Sequence, residues 1–232
     1  MLLNFTTLDS KNLFFRELEE DDNDIITSRC RYNDNGKNVR MIIQSPKMLL
    51  EDKSSIQGDN FYIKFKFDVS DESKMDKLGC FYNFLYNIDE QCIRHITNTS
   101  NEWGSESKTR EEVQYNYISL LNIPDKWGFP PSLNFNIGVK NDDLNCDLFD
   151  INGRSIDIDN INLGDRCIVI MEMEGVNIKL DNYRPRWIIR QIITCEQIER
   201  KCLFSAEDTE IDNGDIEADN LDAESEFLNK ID

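Results

Sequence analysis

Phe61-Tyr62-Ile63-Lys64-Phe65-Lys66-Phe67 decides the fold class of this chain. Side chains of an extended strand point alternately to opposite faces, so Phe61, Ile63, Phe65 and Phe67 share one face and Tyr62, Lys64 and Lys66 the other. This pattern predicts a half-buried strand whose outward face carries one aromatic ring and two cations. Downstream, Leu133, Phe135, Ile137 and Val139 repeat the alternation, and residues 167–173 and 187–195 read as further strands. Asn152-Gly153 marks a hairpin turn between 146–150 and 155–158. Gly164-Asp165 precedes the buried strand at 167–173, and Gly175 marks a turn after it.

Between the first strand and the later ones the period changes. Leu78, Phe81, Leu85, Ile88, Cys92 and Ile96 recur every three or four positions, which predicts a helix over 73–98. Thr109 and Glu112 have capping-box spacing and open a second helix with Val113, Tyr117, Leu120 and Leu121 on its apolar face. Pro130-Pro131 then breaks the chain. The acidic run at 17–24 reads as a solvated loop joining an N-terminal arm to the body. Together these signals predict a mainly β, OB-fold-like antiparallel barrel over residues 26–205. It carries a helical insertion at about 73–122, follows an arm and acidic loop at 1–25, and precedes a disordered acidic C-terminal tail at 206–232.

That tail holds eleven carboxylates against one base, Lys230, and one aromatic, Phe227. It cannot bury enough apolar surface to offset its conformational entropy. Beside a β-rich body it reads either as a solubilising appendage or as a moving mimic of a polyanion. The whole chain has net charge −19, and the body without the tail is still acidic, with 25 bases and 34 acids. Duplex binding takes its affinity from neutralised phosphates, so a strong duplex binder is disfavoured and any nucleic-acid site is a local patch. Two segments are locally basic: 26–70, with eight bases against five acids, and 176–202, with six against three.

The seven cysteines lack zinc-site spacing and are odd in number, which points to free thiols in a reducing compartment: cytoplasm, nucleus or a viral factory. The N-terminus does not read as a signal peptide, no apolar run reaches membrane-spanning length, and no membrane partner is expected. A homo-oligomer is compatible with the sequence. Enzymatic motifs are absent, so the chain is expected to be no enzyme and to need no cofactor. Its single histidine, His95, falls within a helix and reads as structural; Asp142-Asp143 and Asp157/Asp159 are chance carboxylate pairs more than a metal nuclease site.

Non-specific single-strand binders stack bases on aromatic rings and line the groove with Lys and Arg. Tyr62, Lys64 and Lys66 offer that chemistry on one strand face, and Tyr183-Arg184-Pro185-Arg186-Trp187 sets two cations between two aromatics. Arg40, Lys47 and Trp127 join the candidate DNA-binding set. In the tail, Glu224, Glu226 and Phe227 are the candidate partner-docking residues. The rival expectation is an acidic protein-interaction scaffold of a replication or transcription complex, with no nucleic-acid binding of its own.

Five stretches resemble the phage-type single-stranded-DNA-binding proteins of nucleo-cytoplasmic large DNA viruses. They are Ile43-Gln44-Ser45-Pro46-Lys47-Met48; residues 62–67; residues 81–90 followed by Ser100-Asn101-Glu102-Trp103; Phe129-Pro130-Pro131-Ser132-Leu133; and Gly175-Val176 with 187–192, including Gln191. The resemblance covers residues 41–194. It implies an oligonucleotide-binding barrel that coats unwound DNA during replication and recombination, with an acidic tail that contacts a polymerase or helicase. Two departures stand out. Gly104 and Ser105 follow Trp103 where the family often has an aromatic and a Lys, and Leu228-Asn229-Lys230-Ile231-Asp232 extend beyond Phe227 where the family's tail usually ends.

Overall fold

The structure, a computed structural model, describes residues 1–20, 25–55, 60–70, 72–103, 106–125, 129–140, 143–179 and 182–196. The tail at 206–232, and with it Phe227, Glu224 and Glu226, lies outside the described residues, as do Trp127 and Asp142. Six strands come first: β1 Leu13–Glu20, β2 Ile26–Asp34, β3 Lys37–Val39, β4 Met41–Gln44, β5 Met48–Lys53 and β6 Asn60–Phe67. The helices α1 Met75–Trp103 and α2 Arg110–Asn116 follow, then β7 Leu121–Asn122, β8 Ser132–Lys140, β9 Asp143–Leu144, β10 Asp147–Phe149, β11 Arg166–Lys179 and β12 Asn182–Glu196. The architecture is the mainly antiparallel β one expected, with α1 and α2 as the helical insertion.

Strand β11 is the spine. β12 pairs with it antiparallel from one end to the other. Its opposite edge is shared in succession by β5 at 166–167, β4 at 170–173 and β2 at 175–178. From β5 the sheet runs on through β6, β8 and β7, and from β2 to β1. β10 adds a short parallel pairing on β12. Gly175 sits where the edge passes from β4 to β2. It is not the expected turn; it lies inside a strand of 14 residues, at a shift in register. A Cβ there would meet the Ser28 carbonyl oxygen at 2.1 Å and the Arg29 Cα at 2.8 Å, so only a residue without a side chain lets β2 approach.

Other expectations need correction. Residues 17–20 of the acidic run are not loop; they continue β1 as an antiparallel partner of β2, and register allows this because Glu17, Glu19 and Glu20 are solvent-facing. In the segment expected as an arm, Leu3, Phe5 and Leu13 are buried in the core. The second helix stops at Asn116 instead of running to Leu121, with Tyr117 extended at its C-cap, although Thr109 and Glu112 do close the capping box. Around Asn152-Gly153 the chain does turn as a hairpin, with Gly153 at φ 77°, Phe149 facing Ser155, and the Asp150 and Ile156 amides donating to the Arg154 and Leu148 carbonyls at 2.9 and 3.1 Å. A fuller hairpin lies at Asn35-Gly36, both at positive φ, which joins β2 to β3.

The insertion packs through one apolar stripe. Leu78, Phe81, Phe84, Leu85, Ile88, Cys92, Ile93 and Ile96 of α1 are buried. Phe81 meets Phe5 edge-on at 5.0 Å between ring centroids and Phe67 at 5.9 Å. His95 stacks on Phe15 at 4.2 Å, and its Nε2 lies 2.9 Å from the Ser28 hydroxyl. Because that hydroxyl donates its one proton to the Arg16 carbonyl oxygen, His95 Nε2 must carry the hydrogen and donate. His95 is thus a structural tie between α1 and the β1–β2 pair, neutral because burial lowers its pKa to about 4. Farther toward the α1 N-terminus, burial pushes Asp89 up to about 6 against the pull of hydroxyl donors on Ser119 and Tyr117.

Two tests follow from these contacts. Gly175→Ala is expected to lower stability by at least about 1–3 kcal/mol in urea unfolding, the range for forced overpacking. Gly138→Ala, with nothing within 4 Å of an added Cβ, is expected to stay within about 0.5 kcal/mol of the parent. The pH dependence separates His95 from Asp89. His95, held below its ordinary 6.5, contributes stability that is complete above that value and lost as pH falls toward about 4. Asp89, held above its ordinary 3.8, contributes stability that is complete at low pH and lost as pH rises through about 6. Urea midpoints of His95→Asn relative to the parent should therefore improve as pH falls from 6.5 to 4. Those of Asp89→Asn should improve as pH rises from 4 to 7.

Candidate nucleic-acid interface

On β6 the outward Tyr62, Lys64 and Lys66 lie opposite Asn136, Asn134 and Ser132 of β8. The core side of the same strand is filled by Phe61, Ile63, Phe65 and Phe67, all buried, so the alternation read from sequence holds. Asn134 and Asn136 are exposed, and the Tyr62 hydroxyl makes a long 3.4 Å contact to Asn134 Oδ1. Tyr62 is half-buried, and that burial raises its phenol pKa. The result is a surface of one ring, two amides and two ammonium groups.

Strand β5 flanks this surface from the other side and brings a carboxylate to it. Leu50 pairs with Phe65 and Asp52 with Lys64, so Glu51 is the extra residue of a β-bulge. Its Oε2 lies 2.9 Å from Lys64 Nζ and its Oε1 4.0 Å from Lys66 Nζ. The Glu51 hydrogen bond holds the Lys64 ammonium above its ordinary pKa. Both lysines are thus already matched by one carboxylate.

The second basic segment behaves differently from its sequence reading. Tyr183 is fully buried, edge-on to Trp103 at 5.7 Å, and Trp187 is only 9% exposed. Neither ring offers an open face for a base. The cause is strand alternation: Tyr183, Trp187 and Ile189 take the inward positions of β12, leaving Arg184, Arg186 and Ile188 outward. Trp103 is likewise packed against the core.

Arg186 stays at the surface and helps to line a cavity of about 290 Å³ between β8 and β12, opposite Asn136, Gly138 and Asn145 and beside Ile188. Asn136 is shared by this cavity and the Tyr62 row. Of the sequence-derived set, the structure thus gathers Tyr62, Lys64, Lys66 and Arg186 along neighbouring strands. Arg40, between β3 and β4, heads a network on β11 and β12: it lies 3.7 Å from Glu172, while Arg190 bridges Glu172 at 2.7 Å and Glu174 at 3.2 Å. Glu174 in turn holds Arg186 at 3.0 Å. Arg184 is exposed and donates from Nε to Asn182 at 2.9 Å. Lys47 is half-buried between β4 and β5.

Sequence reading missed Asn134, Asn136 and Glu51. The two asparagines were findable, since they occupy the outward positions of the alternation at 133–139. Glu51 was not, because a bulge leaves no periodic mark. Asp143, Asp157 and Asp159 belong to no group of three or more metal-ligating side chains among the described residues.

No family model and no curated protein matches the chain. Among solved structures, it is similar to the single-stranded DNA-binding protein from bacteriophage Enc34. For that protein in complex with ssDNA the identity is 9%, covering 77% of this chain and 89% of that chain, with a TM-score of 0.40. Its C-terminal truncation gives 9% identity over 82% and 98% of the two chains, with a TM-score of 0.41, and a third structure gives 8% over 83% and 98%, with 0.42. These neighbours are phage proteins.

Proposed function

We propose that this chain is a non-enzymatic single-stranded-DNA-binding protein of DNA replication and recombination, working in a reducing intracellular compartment. The observation that carries this reading is the outward face of β6 and β8, where Tyr62, Lys64, Lys66, Asn134 and Asn136 lie side by side. A base stacks on Tyr62, the amides meet its polar edge, and the lysines take the flanking phosphates. From there the strand follows Asn136 toward Arg186 in the β8–β12 cavity. Tyr183 and Trp187 have no stacking role in this mechanism; they support the strand that presents Arg184 and Arg186.

A net charge of −19 sets the preference for single strands. A duplex presents dense phosphate charge to an acidic body and hides its base faces, whereas a single strand adds stacking to the few phosphate contacts available. The acidic tail competes with DNA for the same cations, and Phe227, with Glu224 and Glu226, docks on a replication partner once DNA has displaced the tail. A tether keeps the tail's carboxylates at an effective concentration of order millimolar. The scaffold alternative draws support from Tyr86 and Tyr115, which are 51% and 90% exposed on the helical insertion. It requires that no oligonucleotide bind.

Fluorescence anisotropy decides between the two. Labelled oligo-dT should bind more tightly than duplex, with affinity falling as salt rises, and Tyr62→Ala should cost roughly 1–3 kcal/mol of it while the protein stays folded. Equal affinity for both probes would refute the single-strand reading. The tail has its own test: deleting residues 206–232 should tighten oligo-dT binding at low salt and much less at high salt, where screening acts over about 8 Å or less. An unchanged low-salt affinity would leave the tail as a solubilising appendage.

A further inference from the structure

Glu51 has the position and chemistry of a phosphate group. It directs one carboxylate oxygen to Lys64 at 2.9 Å and the other to Lys66 at 4.0 Å, as the two non-bridging oxygens of a phosphodiester would. We propose that Lys64 and Lys66 form a phosphodiester seat which Glu51 fills in the free protein and vacates when a nucleic acid binds. This rests on the single-strand reading and adds the affinity-setting residue of that site.

Three observations separate Glu51 from an ordinary structural ion pair. First, it is the unpaired residue of a bulge, so its backbone position exists outside the register of β5 and β6. Second, its side chain is 34% exposed and can swing into water. Glu172, by contrast, is 3% exposed and held by both Arg40 and Arg190, so releasing it would strand a buried charge. Third, the seat adjoins a ring suited to stacking, since Tyr62 is two residues from Lys64 on the same face. A phosphodiester arriving with a stacked base brings binding energy that a lone carboxylate lacks, and surface ion pairs of this kind are weak enough to be displaced.

The exchange has a signature in salt dependence. Each phosphate contact to a single strand gives a slope of about −0.7 in log affinity against log salt, and a carboxylate freed at the same moment offsets part of it by attracting a cation. Removing the carboxylate should therefore tighten binding and steepen the slope together.

The test uses the full chain and labelled oligo-dT at two salt concentrations, with melting curves to confirm folding. Glu51→Gln should bind up to about fivefold more tightly at low salt, the worth of an exposed ion pair, with a steeper salt slope. The gain should vanish when Lys64→Ala and Lys66→Ala are also present. Glu111→Gln, an exposed carboxylate on α2, controls for the general loss of negative charge and should give no comparable gain. If the parent binds oligo-dT but Glu51→Gln matches it, or gains no more than Glu111→Gln, the seat is refuted while single-strand binding stands. A gain that survives the loss of both lysines refutes it in the same way. If neither parent nor Glu51→Gln binds, both readings fall.

Discussion

One close approach holds the fold together. β2 can join β11 only because Gly175 has no side chain to strike the Ser28–Arg29 backbone. Ser28 then serves three elements at once: its main chain pairs with β11, its hydroxyl donates to Arg16 on β1, and it accepts from His95 on α1. Spine, hairpin and helical insertion therefore meet at a single buried serine. The serine is a buried polar group whose hydroxyl both donates and accepts, the condition under which buried polarity specifies one arrangement of parts.

Charge in this protein is distributed by matching instead of by separation. An acidic chain could have cleared its carboxylates from a cationic strip. Instead Lys64 and Lys66 share Glu51, Arg186 is held by Glu174, and Arg40 and Arg190 by Glu172. The surface near β6 is consequently close to neutral, and what distinguishes it is the run of uncharged hydrogen-bonding groups, Tyr62, Asn134 and Asn136.

The parts of the fold that sequence revealed are those with a period. Alternation at 61–67 and 133–139, three-to-four spacing along α1 and the Thr109–Glu112 box all stand where they were expected. β3 and β4 lay hidden because they are short and their patterns mixed, such as Met41-Ile42-Ile43-Gln44, although the Asn35-Gly36 turn was a usable marker for β2 and β3. Gly175 misled because glycine in a strand and glycine in a turn look alike until a neighbouring backbone is in view. Among the site residues, Tyr62, Lys64 and Lys66 follow from local alternation alone. The error at Tyr183 and Trp187 was one of phase: two aromatics beside two arginines look exposed, but their spacing of four puts both rings on the same, inward face of β12.

The joint between β8 and β12 differs from every other in the barrel. No ladder links these strands among the described residues; a cavity lined by Asn136, Gly138, Asn145, Arg186 and Ile188 lies between them. A fully laddered barrel has a circumference fixed by its strand number and stagger. Here that geometric closure is incomplete among the described residues. Pro185, on β12 just before Arg186 and Trp187, has no amide hydrogen to offer a further strand. The barrel is in effect a split ring, with its core packed and its gap bordered by Gly138 and Ile188.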